Sequence, residues 1–254
     1  MALDLAQAAR AAEAAADAAR REILPRFRKV GVETKSDGSP VTEADRAAER
    51  AIRAVLREFD PSIGILGEEF GAEGATEGRH WVVDPIDGTI GFARGIGLFS
   101  TLVALQEDGA SVLGLIDLPG LDERYVGWSG HGVRRNGTPV QVSEETDPKR
   151  ALIAHGDAFA FDHFGERAAF TRMVEDFPIF RGYTDAFGHA QVLHGGVDAM
   201  IDTGLNPWDA AATQILVPEA GGRCVTIDRS DQGRGLGLLF GSPGLVEVLE
   251  SYLA

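Results

Sequence analysis

Trp81-Val82-Val83-Asp84-Pro85-Ile86-Asp87-Gly88-Thr89 is an apolar run that breaks into two aspartates on either side of Pro85-Ile86. The β-branched and aromatic residues at 81–83 read as a buried strand, and Pro85, which has no amide proton to give, denies that strand an ordinary continuation. Both carboxylates therefore emerge at a strand end. Gly88 and Thr89 then offer backbone amides where a tight turn or a helix begins, a place suited to a phosphate. Magnesium takes oxygen ligands in near-octahedral geometry from few carboxylates, so the two aspartates suit it, and the Ile86 carbonyl could add a ligand. On its own the pair also has an ordinary reading as an Asx-turn that caps a helix.

Outward from this stretch, Leu5, Ala9, Ala12, Ala16, Ala19 and Ile23 recur at helical spacing, and Pro25 marks the end of that helix. A second helix follows Pro40, with Ala44, Ala48, Ile52, Val55 and Phe59 on one face and Asp60-Pro61 as its stop. Residues 35–40 between them have turn chemistry. Strands are predicted over 63–66, 100–106, 111–117, 123–128 and 140–142, with turns at Asp108-Gly109 and Asn136-Gly137. Further on, short strands near Leu152 and over 199–201 alternate with helices near 163–175, 186–195 and 208–220. Layered sheets and helices of the α/β (α+β) class follow. A division near Thr146-Asp147-Pro148 gives an N-terminal half, 1–146, and a C-terminal half, 147–254.

The 254 residues, 44% of them hydrophobic, suffice for one large domain or two joined halves. With 24 Lys and Arg against 39 Asp and Glu, the formal charge is −15, which repels nucleic acid and acidic membrane surfaces. A phosphate ester would be repelled too, unless bound cations reverse the local field. No run approaches the roughly 18 apolar residues that span a bilayer. Asp4, Arg10, Glu13, Asp17 and Arg20 interrupt any N-terminal signal segment, and a single cysteine, Cys224, fits a reducing compartment, so a cytoplasmic protein is expected. Cys224 reads as a small buried apolar residue. His80, His131, His155, His163, His189 and His194 lack metal-site spacing and read as surface or packing residues.

Three further acidic elements accompany the central stretch: Asp45 in Pro40-Val41-Thr42-Glu43-Ala44-Asp45, the pair Glu68-Glu69, and Asp209 in Asn206-Pro207-Trp208-Asp209-Ala210-Ala211. Singly, Thr42 to Asp45 is a helix capping box, Glu68-Glu69 a solvated pair and Asp209 a first-turn aspartate. Together, Pro-Val-Thr-x-x-Asp, Gly-Glu-Glu, Asp-Pro-Ile-Asp-Gly-Thr and Trp-Asp-x-Ala-Ala resemble, in order and spacing, the inositol monophosphatase superfamily of lithium-sensitive, magnesium-dependent phosphatases. The resemblance covers nearly the whole chain. It implies a layered αβαβα sandwich, two or three Mg2+ per site and a homodimer. It also implies that Glu68, Asp84 and the Ile86 carbonyl hold one ion, that Asp84, Asp87 and Asp209 hold a second, and that a third, weaker ion lies near Glu68. Thr89, hydrogen-bonded to Asp45, would orient the attacking water together with Glu68, and the amides of Gly88 and Thr89 would bind the phosphoryl group.

The identity of the small-molecule phosphate ester turns on departures from the family pattern. Gly91 stands where the family commonly has Asn or Ser. Arg181-Gly182-Tyr183-Thr184-Asp185-Ala186-Phe187-Gly188 carries an aspartate where inositol phosphatases have a small residue, and is similar to the histidinol-phosphate phosphatases of the superfamily. A further carboxylate at the leaving group would favour a cationic alcohol over a neutral polyol. Asp185 could instead pair with Arg181. Asp202, seven residues before Asp209, matches the acidic position at the leaving group of inositol enzymes. Asp87, Arg181, Asp185 and Asp202 are thus the expected substrate contacts. Histidinol phosphate is the expected ester, inositol 1-phosphate the alternative, sugar or nucleotide phosphates follow, and a non-catalytic metal-binding regulatory protein is the remote alternative.

Overall fold

A computed structural model describes residues 3–29, 31–34, 40–228 and 235–253. Residues 35–39 of the anticipated turn segment lie outside them. The first part of the chain forms α1 (Leu5–Ile23), β1 (Glu33–Thr34), β2 (Pro40–Val41), α2 (Glu43–Phe59), β3 (Gly64–Gly67), β4 (Gly71–Glu73), β5 (His80–Asp87) and α3 (Thr89–Ala93). A meander follows: β6 (Ser100–Glu107), β7 (Ala110–Leu118), β8 (Glu123–Trp128), β9 (Val133–Arg135) and β10 (Thr138–Val140). The remainder forms β11 (Leu152–His155), α4 (Ala158–His163), α5 (Arg167–Asp176), β12 (Ile179–Gly182), α6 (Asp185–Leu193), β13 (Ala199–Leu205), α7 (Pro207–Glu219), β14 (Arg223–Asp228), β15 (Leu236–Gly241) and α8 (Pro243–Leu253).

An eight-stranded sheet runs in the order β10-β9-β8-β7-β6-β5-β3-β4, and a five-stranded sheet in the order β12-β11-β13-β15-β14. Helices α1 and α2 cover the outer face of the larger sheet, α6 and α7 lie between the sheets, and α4, α5 and α8 cover the far side of the smaller one. This is the αβαβα sandwich that the resemblance implied.

Small residues let these layers close. The buried face of α1 is Ala8, Ala9, Ala12, Ala15, Ala16 and Ala19, and it packs with Ala44 and Ala48 of α2. Asp4 caps α1 by accepting the Ala6 and Gln7 amides. Between the sheets, Ala186, Ala190, Ala210, Ala211 and Ala212 leave room for helices against both. β5 is buried at all eight positions, as expected of a strand covered by helices on both faces.

Three expected elements differ. The strand expected at 81–83 does not stop at Pro85 but runs on to Asp87 as β5. The expected strand at 140–142 ends at Val140, because the Val142 amide bonds the Ala220 carbonyl instead of a strand partner. The helix expected over 163–175 is α5, which begins only at Arg167; an unforeseen helix, α4, ends at His163, and Gly165 between them adopts φ +73°. Strands β1, β2, β4, β9, β12, β14 and β15 and helix α8 were not foreseen.

The alanine interface makes a direct prediction. Ala16→Leu, placed where α1 has no spare volume, should lower unfolding free energy by about 1–3 kcal/mol in urea titration. A loss below about 0.5 kcal/mol would show that α1 is not close-packed.

Candidate metal centre

Asp84 and Asp87 lie three residues apart, so simple strand alternation would send their side chains to opposite faces. The chain solves this with a bulge. Asp84 pairs with Leu102 and Asp87 with Ser100, so β5 carries one residue more than β6 across this span. The extra residue returns both carboxylates to one side, and Pro85, with no amide to pair, fits the interruption. Asp84 Oδ1 accepts the Ile86 amide at 3.0 Å, and the Thr101 hydroxyl donates to the Pro85 carbonyl at 2.8 Å. Gly88 then turns the chain at φ 83°, ψ 35°, a left-handed conformation that glycine adopts without strain, and α3 begins.

Asp209 arrives from the other side of the molecule. It is the third residue of α7, and its Oδ2 accepts the Asn206 amide at 2.7 Å and the Asn206 side-chain amide at 3.2 Å. One carboxylate oxygen each from Asp84, Asp87 and Asp209 lies within 4.8 Å of the others. Oxygens on opposite sides of a bound magnesium stand about 4.2 Å apart, so an all-oxygen set of this span fits a hard divalent cation with little adjustment. The set contains no histidine.

Glu68 stands at the turn between β3 and β4, and its carboxylate is hydrogen-bonded to Asp84 and acts on Asp45 and Asp209 as well. Buried Glu49, which the sequence reading overlooked, holds this turn by accepting the Glu69 amide at 2.7 Å and the Phe70 amide at 3.3 Å. Its carboxylate is also paired with buried Arg53. Asp45, Glu49 and Arg53 are spaced four apart on the buried side of α2, and ionic residues on an otherwise apolar face were the available signal. Asp45 is fully buried: Oδ2 takes the Thr42 amide at 2.8 Å and the Thr42 hydroxyl at 2.6 Å, while Oδ1 lies 3.2 Å from the Thr89 hydroxyl. That hydroxyl is also 2.9 Å from the Ile86 carbonyl, and its single proton can serve only one of the two acceptors at a time.

Asp87 Oδ2 accepts the Ser100 hydroxyl and the Ala186 amide, both at 2.7 Å. Ala186 belongs to α6, and the residue before it, Asp185, has φ +58° and lies so close to the turn that a Cβ on Gly88 would stand 3.1 Å from its Oδ2. Asp185 is therefore at the acidic cluster, and among the described residues no ion pair joins it to Arg181. Arg181 is exposed on β12, with Nη1 donating to the Phe180 carbonyl. Asp202 is 3% exposed and bonded to buried His189. Gly91 adds no polar group: a Cβ there would meet only the Ile96 side chain.

Carboxylates forced together in this way hold their protons. Burial, reinforced by Glu68, Asp87 and Asp209, raises Asp84 well above the ordinary carboxylate range. Burial, with Asp185 and Asp209, does the same to Asp87 against the opposing Ala186 and Ser100 hydrogen bonds. Burial pushes Asp209 from 3.8 up to about 7, and also raises Asp45 and Asp185. Cys224 takes no part: burial pushes its thiol up to about 12, which suits packing and not nucleophilic attack.

A family model described as the inositol monophosphatase family matches residues 4–250. A histidinol-phosphatase of Chlorobaculum parvum is 36% identical over 197 residues, covering 78% of this chain and 76% of the relative. An inositol-1-monophosphatase of Mesorhizobium japonicum is 37% identical over 195 residues, covering 75% and 73%. The solved inositol monophosphatase of Anabaena superposes with a TM-score of 0.85 at 28% identity, covering 99% of this chain and 96% of that one.

The raised carboxylates fix the sign of a pH effect. Asp209 keeps its proton in the folded, metal-free protein up to about pH 7 but loses it near 3.8 when unfolded, so stability is lost as pH rises through that window. In chelator, the melting temperature should fall between about pH 5 and about pH 7.5, and Asp209→Asn should flatten part of the fall. Added magnesium should raise the melting temperature more at the upper end, where fewer protons compete. A chelated protein whose melting temperature rises steadily across the window, with Asp209→Asn parallel to it, would contradict the electrostatic account.

Proposed function

This chain belongs to the inositol monophosphatase family, and on that premise we propose that it is a magnesium-dependent phosphatase of histidinol phosphate, working as a cytoplasmic homodimer. The phosphatase class rests on the family and on its relatives. The ester is chosen by one observation: the Asp185 carboxylate lies against Gly88, beside the turn proposed to cradle the phosphoryl group.

Histidinol phosphate carries its ammonium two carbons from the ester oxygen. A carboxylate beside the phosphate cradle is therefore within reach of that cation, and a partly desolvated charge pair discriminates strongly against a neutral alcohol. Inositol 1-phosphate has no cation to offer there. The relatives named histidinol-phosphatase agree with this choice, while the inositol-1-monophosphatase of similar identity keeps inositol 1-phosphate as the second reading.

In this reading Asp84, Asp87, Asp209 and Glu68, with the Ile86 carbonyl, hold two or three magnesium ions. The bound cations would polarise the phosphoryl oxygens, lower the pKa of a coordinated water and neutralise the departing alkoxide. The protein's own groups do the positioning. Asp45, fixed by Thr42, accepts the Thr89 hydroxyl proton, which leaves the Thr89 oxygen a lone pair directed at a water proton. Glu68 would help to align the same water. The amides of Gly88 and Thr89 face the phosphoryl oxygens as negative charge redistributes among them.

Phosphate release with magnesium from histidinol phosphate, inositol 1-phosphate, fructose 1,6-bisphosphate and adenosine 3′,5′-bisphosphate tests the ester. Histidinol phosphate should lead in kcat/KM, and Asp185→Asn should cost it about tenfold or more, the worth of one charge-assisted bond. A clear lead for inositol 1-phosphate would transfer the assignment to the second reading. Asp84→Asn should abolish turnover while raising the melting temperature in chelator, since it removes a ligand and a repulsion at once. Substantial magnesium-dependent turnover by Asp84→Asn would remove the phosphatase site from this cluster.

A further inference from the structure

Beneath the acidic cluster lies a buried polar bridge that the reaction as proposed does not use. Asp185 and His189 are four residues apart on α6, and Asp209 and Thr213 are four apart on α7. His189 and Thr213 therefore each sit one helical turn below a carboxylate of the site, on the same face. At that level the His189 ring spans the gap: Nδ1 is 2.7 Å from Thr213 Oγ1, and Nε2 is 3.0 Å from Asp202 Oδ2 on β13. All three residues are buried, and the Phe240 ring packs edge-on against the imidazole at 4.8 Å.

The bridge has no slack. A carboxylate can only accept, so Nε2 donates to Asp202, and in the neutral ring Nδ1 accepts the Thr213 hydroxyl proton. The other Asp202 oxygen is pressed against the backbone at Gly156, where an added Cβ would stand 1.9 Å from Oδ1. Asp202 is thus held on both sides, and each bond is costly to lose in a buried setting. The upper end of α6 is tied separately, by the Ala186 amide to Asp87. At the far end of α6, His194 Nδ1 lies 3.0 Å from the Tyr125 hydroxyl; the bridge is what links the middle of the helix to α7 and β13 by polar contacts.

We infer that the Thr213-His189-Asp202 bridge is a leaving-group positioning device: it fixes the height and rotation of α6 against α7 and β13, and so sets where the Asp185 carboxylate stands relative to the acidic cluster. His189 and Thr213 are positioning residues that act through Asp185. The inference rests on the reading of Asp185 as the leaving-group contact.

Thr213→Val removes the hydroxyl with little change of shape, and Thr213→Ser keeps it. With histidinol phosphate and saturating magnesium, Thr213→Val should raise KM about tenfold with kcat within about threefold, while Thr213→Ser stays near the parent. His189→Gln, which can still donate to Asp202 but gives up the Thr213 contact, should match Thr213→Val. On an Asp185→Asn background, Thr213→Val should add less than about twofold to KM, because its effect passes through the carboxylate already removed. Melting temperatures establish that each variant is folded. A full KM increase on the Asp185→Asn background, a loss confined to kcat, or failure of Thr213→Ser to restore KM would overturn the positioning role and leave the substrate reading standing. An Asp185→Asn variant with parental KM would remove the substrate reading and this inference together.

Discussion

Repulsion among buried carboxylates is the constraint on which the rest of this structure depends. Asp84, Asp87 and Asp209 bring oxygens within 4.8 Å of one another in a chain that already carries a net charge of −15. Such a cluster costs folding free energy unless protons or cations occupy it. The surrounding fold supplies the opposing work: five layers close around β5, and every position of that strand is buried. Small residues on α1, α6 and α7 allow this tight closure, so alanine content far from the site and carboxylate geometry within it are parts of one solution.

Helix capping and site construction are the same act at two of the carboxylates. The capping-box reading of Thr42 to Asp45 and the site reading of Asp45 looked like competitors in the sequence. Asp45 satisfies both, because a carboxylate has two oxygens: Oδ2 closes the cap on Thr42, and Oδ1 faces Thr89. Asp209 repeats the arrangement at α7, where Oδ2 is taken up by Asn206. A cap fixes the side chain's rotamer at little cost, so the second oxygen arrives already aimed. Asp84 achieves the same result by an Asx-turn onto the Ile86 amide, the other bland reading of the motif.

Local signals were legible and tertiary ones were not. The 3.6-residue spacing of α1 and α2 and the alternation and turns of the β6–β8 meander could be read because each is written within a short window. The bulge at Pro85-Ile86 could not, since it exists only against the pairing of Leu102 and Ser100 on β6. Glu49 and Thr213 were overlooked for a related reason: buried polar residues acquire meaning from partners, the amides of Glu69 and Phe70 in one case and the ring of His189 in the other. His189 itself was read as surface or packing, and its burial agrees, but its two hydrogen bonds lie on α7 and β13. Arg181 and Asp185 were grouped because the stretch that holds them resembles a family motif. The chain leaves β12 between them, which sets the arginine on the exposed edge strand and turns the aspartate inward at φ +58°.

The contact between Asp87 and α6 separates what the molecule must keep from what it can vary. Asp87 accepts the amide of Ala186, a backbone group that any residue but proline would supply. The acidic cluster is therefore anchored to the middle helix layer without reference to the side chains that α6 presents. Asp185, the neighbouring residue, stands at the same turn by its side chain alone. Changing residue 185 alters the chemistry beside Gly88 while the Ala186 amide still reaches Asp87. A scaffold so divided can hold its acidic cluster fixed while the side chain presented beside Gly88 varies.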